Sequence, residues 1–204
     1  MSALKILHTA DWHIGSFPGP EIGGENARFL DVMEQLKQLT QTAVQEDPDI
    51  ILISGDIFHQ AKVWSDRGLK EQTLCISVLR DMSQIAPVVV MRGTPNHDSE
   101  EQFKTLSAVF SGNDRVHIVT RPGIDFYTCK NGQFIQIACL PGFDKEIFEN
   151  KNTGSDTDSH FYTQELARII TDLSGQVNPR AASILMAHYT IAGANMESGQ
   201  TALF

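Results

Sequence analysis

The sequence predicts an α/β fold, and three observations support that prediction. Apolar strand-like runs alternate with segments of helical periodicity from Leu4 to about Ser83, a pattern typical of parallel sheets with helical crossovers. The run Ile50–Ile53 is continuously apolar between turn residues, as expected for a strand buried on both faces. Two β-rich runs then flank Asn131-Gly132, which indicates a hairpin.

Size and composition indicate one globular domain over residues 1–204, with 41% hydrophobic and 20% charged residues. No apolar run approaches the roughly 18 residues of a membrane span. A strand that begins at Leu4 leaves no room for a signal peptide. Cys75, Cys129 and Cys139 show neither metal-binding nor redox spacing. We interpret them as small buried side chains of a reduced, cytoplasmic protein.

The formal net charge of -9 argues against a broad basic surface that binds nucleic acid. It does not exclude a DNA substrate. Part of the negative charge belongs to candidate metal ligands, and divalent cations would offset it locally.

Apolar periodicity defines the elements of the first half in order. A first strand covers about Leu4 to Ala10, and a Gly- and Pro-rich loop follows over Gly15–Gly24. This loop is either functional or a plain solvent-exposed connection. Asn26 to about Glu46 has the i, i+3, i+4, i+7 spacing of a helix with a core-facing stripe. The next elements are the strand Ile50–Ile53, a helix over Ser65–Ser83 and a strand over Pro87–Met91.

The second half predicts antiparallel strands and a second sheet. Ile124–Lys130 and Gln133–Leu140 would form the hairpin, with positive φ expected at both Asn131 and Gly132. The other predicted elements are a helix over Glu100–Phe110, a strand over Val116–Val119, a loop over Pro141–Ser159, a helix over Thr163–Leu173 and a strand over Ala182–His188. Tyr189–Phe204 gives no clear element.

Asp, Asn or His follows each of four predicted strands. These residues are Asp11 and His13, then Asp56 and His59, then Asn96, His97 and Asp98, and finally His188. Ligands of open α/β sheets bind outside the carboxyl ends of the strands. For Asp56 alone, a turn cap would explain the residue equally well. Repetition at four strand ends favours a metal site with oxygen and nitrogen ligands.

The predicted ligands suit a two-metal site for phosphodiester hydrolysis. Asp11 and His13 lie two residues apart, so in an extended segment both would face one ion. Asp56 has two carboxylate oxygens and can bridge two ions. Asn96 offers a carbonyl oxygen, and His188 offers a ring nitrogen.

Neighbouring residues predict further roles. His97 could protonate the leaving group or stabilise transition-state charge. Asp98 could hold the His97 ring. Four cations flank the site and are either phosphate contacts or solvated surface, namely Lys62, Arg67, Lys70 and Arg92.

The motifs Asp-x-His, Gly-Asp-x-x-His, Asn-His-Asp and a late strand-end His resemble, in that order, the calcineurin-like metallophosphoesterases. The segments His8–His13, Gly55–His59 and His188–Ala194 are similar to the SbcD-type DNA repair nucleases. This resemblance spans about residues 4 to 204. It implies a four-layer αββα sandwich with mixed sheets and manganese-dependent exonuclease or endonuclease cleavage of DNA.

The resemblance also implies a ligand set, a cofactor and partners. One ion would bind Asp11, His13 and Asp56, and the other would bind Asp56, Asn96 and His188. His97 would assist catalysis, and His59 would orient the scissile phosphate. The cofactor would be two Mn²⁺ ions, with Fe²⁺, Zn²⁺ and Mg²⁺ as alternatives. Partners would be DNA, an SbcC-type ATPase and a second copy in a homodimer, with no membrane.

The sequence departs from the family pattern in two places. Thr94-Pro95 is inserted into the usual Gly-Asn-His-Asp motif, which makes the loop before Asn96 two residues longer. No Gly-His-x-His motif follows His188, so we expect the domain to be incomplete at its C-terminus. Two alternatives to a nuclease therefore stay open. One is a small-nucleotide phosphodiesterase or phosphatase, and the other is a catalytically weak module that binds a partner.

Overall fold

The computed structural model describes residues 3–61, 66–143 and 158–189, with residues 66–67 and 158–162 described by their backbone. The strands are β1 (Ile6–Thr9), β2 (Glu21–Ile22), β3 (Glu25–Asn26), β4 (Ile50–Ile53), β5 (Val88–Met91), β6 (Val116–Val119), β7 (Gly123–Thr128), β8 (Phe134–Leu140) and β9 (Ser183–Ala187). The helices are α1 (Ala27–Glu46), α2 (Asp66–Ile85), α3 (Glu100–Val109) and α4 (Asp158–Gln176).

The first sheet is parallel throughout, with strand order β1-β4-β5-β6. α1, α2 and α3 lie in the connections between its successive strands, so the predicted strand–helix alternation is confirmed. Leu36, Leu79 and Phe103, one from each helix, belong to the buried core that these helices share with the sheet. This core covers one face of the first sheet.

β4 is buried on both faces, as its continuous apolar run predicts. Ile51 and Ile53 join the core beneath the helices. Ile50 and Leu52 join a second core that includes Ile137 of the second sheet. Successive side chains of a strand point to opposite faces, so a strand between two apolar layers is apolar at every position.

The second sheet has the order β7-β8-β9, with β7 antiparallel and β9 parallel to β8. This confirms the predicted second sheet and its antiparallel hairpin. Ile170 and Leu173 of α4 line an apolar groove with Ala138 and Leu185 on the outer face of the sheet. Helices, sheet, sheet and helix therefore form the predicted four-layer αββα arrangement.

The turn of the hairpin differs from the prediction. Of Asn131 and Gly132, only Gly132 has a positive φ, at 81°. Gly132 N–H donates to the carbonyl of Cys129 at 2.9 Å, and Cys129 N–H donates to that of Gln133 at 2.8 Å. The connection is thus a three-residue loop that ends in a left-handed glycine, and such a loop needs positive φ at its last residue alone.

Several boundaries also differ from the sequence-based prediction. The Gly15–Gly24 loop contributes β2 to a short antiparallel pair with β3. α1 begins after Asn26, which caps it by accepting the Phe29 N–H at 3.1 Å. α4 extends beyond the predicted Thr163–Leu173 in both directions. Most of the predicted loop over Pro141–Ser159 lies outside the described residues, as do residues 190–204.

The predicted burial of the three cysteines is confirmed. Cys75, Cys129 and Cys139 are all free and buried. Within the described residues, no helix combines the length and the apolar character that crossing a membrane requires.

Candidate metal centre

The predicted ligands come from strand ends in both sheets. β1, β4 and β5 are parallel neighbours, so the loops that follow them begin side by side. His188 follows β9 of the second sheet, and its Nδ1 lies 2.7 Å from the carbonyl oxygen of Ser54, just after β4. The two sheets therefore meet at the carboxyl end of β4, where the sequence places Asp56.

The loops after β1 and β4 run alongside each other. Asp11 N–H donates to the carbonyl of Gly55 and His13 N–H to that of Asp56, both at 3.0 Å. Ligand atoms of Asp11, His13 and Asp56 lie within 4.8 Å of one another. The structure thus brings these three predicted ligands into one group.

Asp11, His13 and Asp56 all have a left-handed backbone, with φ of 55°, 45° and 51°. In the described part of the chain, the one other non-glycine residue with positive φ is Asp47, which ends α1. The prediction that an extended segment directs Asp11 and His13 toward one ion is wrong. Both residues have a left-handed backbone, and their ligand atoms come together in that conformation. Such conformations cost about 1–3 kcal/mol each and concentrate at functional sites.

Asp56 is the buried centre of the group, with its side chain 8% exposed. Its Oδ1 accepts two hydrogen bonds from Thr94, one from the N–H at 2.7 Å and one from the hydroxyl at 2.9 Å. Its Oδ2 lies 3.3 Å from His188 Nε2 and 3.9 Å from His97 Nε2. Burial raises the pKa of Asp56, but hydrogen bonds from His188 and Thr94 outweigh it and lower the pKa to about 2.

His188 pairs with Asp56 across the two sheets. Its hydrogen bond with Asp56 raises the pKa of His188 to about 9, although burial acts in the opposite direction. The Ser54 carbonyl accepts a hydrogen bond from Nδ1 and so orients Nε2 toward the carboxylate. Both pKa shifts favour the pairing of an imidazolium with a carboxylate.

Three glycines allow the backbones to close around Asp56. A Cβ on Gly93 would lie 2.1 Å from Asp56 N, and one on Gly55 would lie 2.5 Å from Gly93 Cα. A Cβ on Gly142 would lie 2.4 Å from the carbonyl oxygen of Gly93. Gly142 follows β8, so this contact joins the second sheet to the loop after β5. Gly142 was not among the predicted site residues, and its one signal in the sequence is its place just after a predicted strand.

His13, His59 and His97 form a second group of ligand atoms within 4.8 Å of one another. The rings of His13 and His97 lie 4.5 Å apart, close to perpendicular. His97 Nδ1–H donates to the His59 carbonyl at 2.6 Å, which leaves Nε2 facing Asp56. The predicted catalytic histidines therefore lie beside the predicted ligands.

Phe17 contacts His59 and was missed in the sequence. The two ring centroids are 3.8 Å apart. A Cβ on Gly15 would lie 2.4 Å from His59 Cβ, so the same loop also packs closely against this histidine. Asn26 accepts the Phe17 N–H at 3.3 Å and donates to its carbonyl at 2.6 Å. Of the two interpretations of this loop, these contacts favour the functional one.

Asp98 does not hold the ring of His97, contrary to the prediction. It is fully buried, and its two oxygens accept the N–H groups of Phe58 at 3.1 Å and Gly93 at 2.7 Å. Burial raises the pKa of Asp98 to about 6, against the effect of these hydrogen bonds. The carboxylate turns inward because it satisfies backbone donors of the loops after β4 and β5. Its role in the structure is to join those loops.

Asn96 is exposed on the turn after β5, and its backbone carbonyl accepts the Ala61 N–H at 3.0 Å. The inserted Thr94 contacts Asp56 instead. A ligand role for Asn96 stays a prediction.

The basic residues near the site differ in placement. Arg92 is half-buried and donates from Nη2 to a backbone carbonyl of the loop after β8 at 3.3 Å. Lys70 forms a surface ion pair with Glu25. Lys62 lies outside the described residues, as does the side chain of Arg67. DNA contacts by Lys62, Arg67 and Arg92 therefore stay predictions.

The donor chemistry of Asp11, His13 and Asp56 fits a divalent cation. The group combines carboxylate oxygens with an imidazole nitrogen, and His188 adds a further nitrogen beside Asp56 Oδ2. Manganese, iron and zinc all accept such a mixed set.

A family model described as calcineurin-like phosphoesterase matches residues 4–203. The chain belongs to the calcineurin-like phosphoesterase family. Enzymes of this family hydrolyse phosphoester bonds with divalent metal ions, which agrees with the ligand group at the strand ends.

Curated relatives of this calcineurin-like phosphoesterase include two proteins that are named as the SbcD component of nuclease SbcCD. The protein from Staphylococcus epidermidis is 29% identical over 202 residues, which cover 98% of this chain and 50% of the relative. The protein from Staphylococcus saprophyticus subsp. saprophyticus is 28% identical over 201 residues, which cover 93% and 47%. The chain therefore spans about half the length of these relatives.

Proposed function

We propose that this chain is an SbcD-type nuclease domain that hydrolyses phosphodiester bonds of DNA with two metal ions, in DNA repair and end processing. The observation that carries the proposal is the group of Asp11, His13 and Asp56, in which each residue has a strained left-handed backbone. Similarity to two SbcD components of SbcCD nucleases supports DNA as the substrate and an SbcC-type ATPase as the partner.

Asp11, His13 and Asp56 would hold one ion, and Asp56 with Asn96 and His188 would hold the other. Mn²⁺ is the metal that we propose. When bound, the ions would activate a water molecule and offset charge on the phosphate.

Asp56 would help to hold both ions. Its Oδ1 already accepts two hydrogen bonds from Thr94, whereas its Oδ2 accepts none from that residue. The same Oδ2 faces His188 at 3.3 Å. A histidine must be neutral to bind metal, so His188 would lose its proton when the ion enters.

His97 and His59 would act on the phosphate itself. The His59 carbonyl fixes the His97 ring, so Nε2 is the atom that would protonate the leaving oxygen. His59 would orient the scissile phosphate, and Phe17 would keep the His59 ring in place from behind.

The first test is hydrolysis of linear duplex DNA by this chain with Mn²⁺. We expect EDTA to abolish activity and Asp56→Asn to lower it at least about a hundredfold, because weaker binding of both ions would remove the charge stabilisation that they supply to the transition state. Asp47→Asn is the matched control, because Asp47 has the same left-handed backbone but precedes β4, whereas Asp56 follows it. Activity that survives in Asp56→Asn would contradict the mechanism.

A small-nucleotide phosphodiesterase is the second candidate, and the net charge of -9 favours it. Comparing duplex DNA with a small chromogenic phosphodiester separates the two functions. Turnover of the small ester alone would support the second candidate. Metal binding without turnover of either substrate would support a catalytically weak module that binds a partner.

A further inference from the structure

The two ligand groups at this site share His13 but differ in chemistry. One group is Asp11, His13 and Asp56, and the other is His13, His59 and His97. The first is rich in carboxylate oxygen, whereas the second offers imidazole nitrogen alone. An ion that prefers nitrogen ligands would therefore favour the second group, whereas an ion that prefers oxygen ligands would favour the first.

The three imidazoles are close enough to contract around one ion. Their ring centroids lie 4.5 Å apart for His13 and His97, 6.2 Å for His59 and His97, and 6.3 Å for His13 and His59. Ligand nitrogens about 2.0–2.1 Å from a tetrahedral zinc lie roughly 3.3 Å from each other. The ligand nitrogens of His13, His59 and His97 lie within 4.8 Å of one another, and modest side-chain rotations would bring them to the zinc-bound separation.

Neighbouring residues orient two of the three rings, those of His59 and His97. The hydrogen bond from His97 Nδ1–H to the His59 carbonyl fixes one ring and leaves Nε2 toward the group. Phe17 and Gly15 pack against His59. Orienting contacts of this kind raise metal affinity because they fix the tautomer and the ring direction.

We propose that His13, His59 and His97 form a nitrogen-only Zn²⁺ site that overlaps the oxygen-rich group through His13 and opposes phosphodiester cleavage when zinc fills it. Three histidines with a fourth position open to water are a known zinc coordination set. Zinc bound there would remove His13 from the Mn²⁺ group and occupy His59 and His97. The inhibitory part rests on the proposed function, whereas the binding part does not.

Metal binding without substrate tests the site directly. Zn²⁺ affinity is measured by competition with a chromogenic chelator, Co²⁺ coordination by visible absorption, and Mn²⁺ affinity by electron paramagnetic resonance. We expect His59→Gln and His97→Gln each to lower Zn²⁺ affinity at least about tenfold, to remove the intense band of tetrahedral Co²⁺ and to leave Mn²⁺ affinity within about twofold. Asp11→Asn should instead lower Mn²⁺ affinity at least about tenfold and leave Zn²⁺ affinity within about twofold.

The control variant is His117→Gln, because His117 lies on β6 and packs against Tyr127. It should change neither affinity. Unchanged Zn²⁺ affinity in both His59→Gln and His97→Gln would overturn the proposed zinc site. The proposal would also fail if Asp11→Asn lowered Zn²⁺ affinity as much as the two histidine variants do.

Activity then tests the antagonism. With saturating Mn²⁺, added Zn²⁺ should inhibit DNA hydrolysis in the parent chain, and extra Mn²⁺ should restore it. Faster hydrolysis with Zn²⁺ would overturn the antagonism. If the chain cleaves no DNA under any condition, the proposed function fails, while the binding measurements still decide whether the zinc site exists.

Discussion

Asn26 makes three hydrogen bonds that join the loop before β2 to the start of α1. Its Oδ1 caps the helix by accepting the Phe29 N–H and also accepts the N–H of Phe17. Its Nδ2 donates to the Phe17 carbonyl. One side chain therefore fixes the start of a helix and the ring that packs against His59.

We predict that Asn26→Ala lowers the free energy of unfolding by about 1–3 kcal/mol, because both the helix cap and the link to Phe17 are lost. Asn26→Ser should restore the cap but not the link, and so recover only part of the loss. Ser99→Ala, which removes the cap of α3 alone, gives the reference value for a cap. Urea unfolding in EDTA measures all three. Equal stability of the parent and Asn26→Ala would contradict the prediction.

Single residues also show where sequence reasoning stops. Asp11, His13 and Asp56 were predictable as a group, because strand ends of a parallel sheet lie at one edge. The inward turn of Asp98 was not, because adjacency in sequence does not say which side of a turn each side chain takes. Thr94 and Phe17 were missed because contacts across loops leave no periodic pattern.

The loops after β4, β5 and β8 depend on close packing of backbone against backbone. Gly55, Gly93 and Gly142 supply it, and only Gly55 has a left-handed φ, at 97°. Gly93 and Gly142 are required for space, which the local sequence does not reveal. The strands themselves were predictable from their apolar runs, whereas the form of the hairpin turn depended on one hydrogen-bond pattern.

We predict that Gly142→Ala destabilises the chain by about 1–3 kcal/mol, because its Cβ would meet the Gly93 carbonyl, which is backbone and cannot turn aside. Gly175→Ala is the matched control, since nothing lies within 4 Å of a Cβ there and Gly175 is inside α4. That variant should be neutral or stabilised by up to about 1 kcal/mol. Thermal unfolding followed by circular dichroism compares them. Similar midpoints for both variants would count against backbone packing at Gly142.

At the scale of the whole molecule, the pair of Asp56 and His188 connects the two sheets. His188 reaches the end of β4 from 134 residues away in the sequence. The order of the motifs in the sequence predicted that His188 lies near Asp56. The local periodicity of apolar residues carries no information about contacts over such a distance in sequence. The second core between the sheets, which includes Leu52 and Ile137, holds the two strand ends close enough for the pair to form.

This pair predicts how stability depends on pH in EDTA. The pKa of His188 is raised from 6.5 to about 9, so its stabilising effect is complete below pH 6.5 and is lost as pH rises through 9. The pKa of Asp56 is lowered from 3.8 to about 2, so its effect is present above pH 3.8 and is lost as pH falls through 2. Between these ranges the contribution of the pair is constant.

We therefore expect the parent chain to lose more stability than His188→Gln when pH rises from 6.5 to 9. Urea unfolding at several pH values measures both chains, and groups common to the two cancel in the difference. Parallel curves over this range would show that the pair does not stabilise the folded chain.

The two hydrogen bonds between Asn26 and Phe17 also join the two ends of the segment between these residues. Residues 18–25 begin and end at this pair of bonded residues, so a longer segment there would still start at Phe17 and return at Asn26. Doubling a flexible loop costs only about 0.6 kcal/mol in closure entropy. An affinity tag or a DNA-binding peptide can therefore be inserted between residues 18 and 25. Because Phe17 and Asn26 stay bonded to each other, we expect the contact of Phe17 with His59 to be kept.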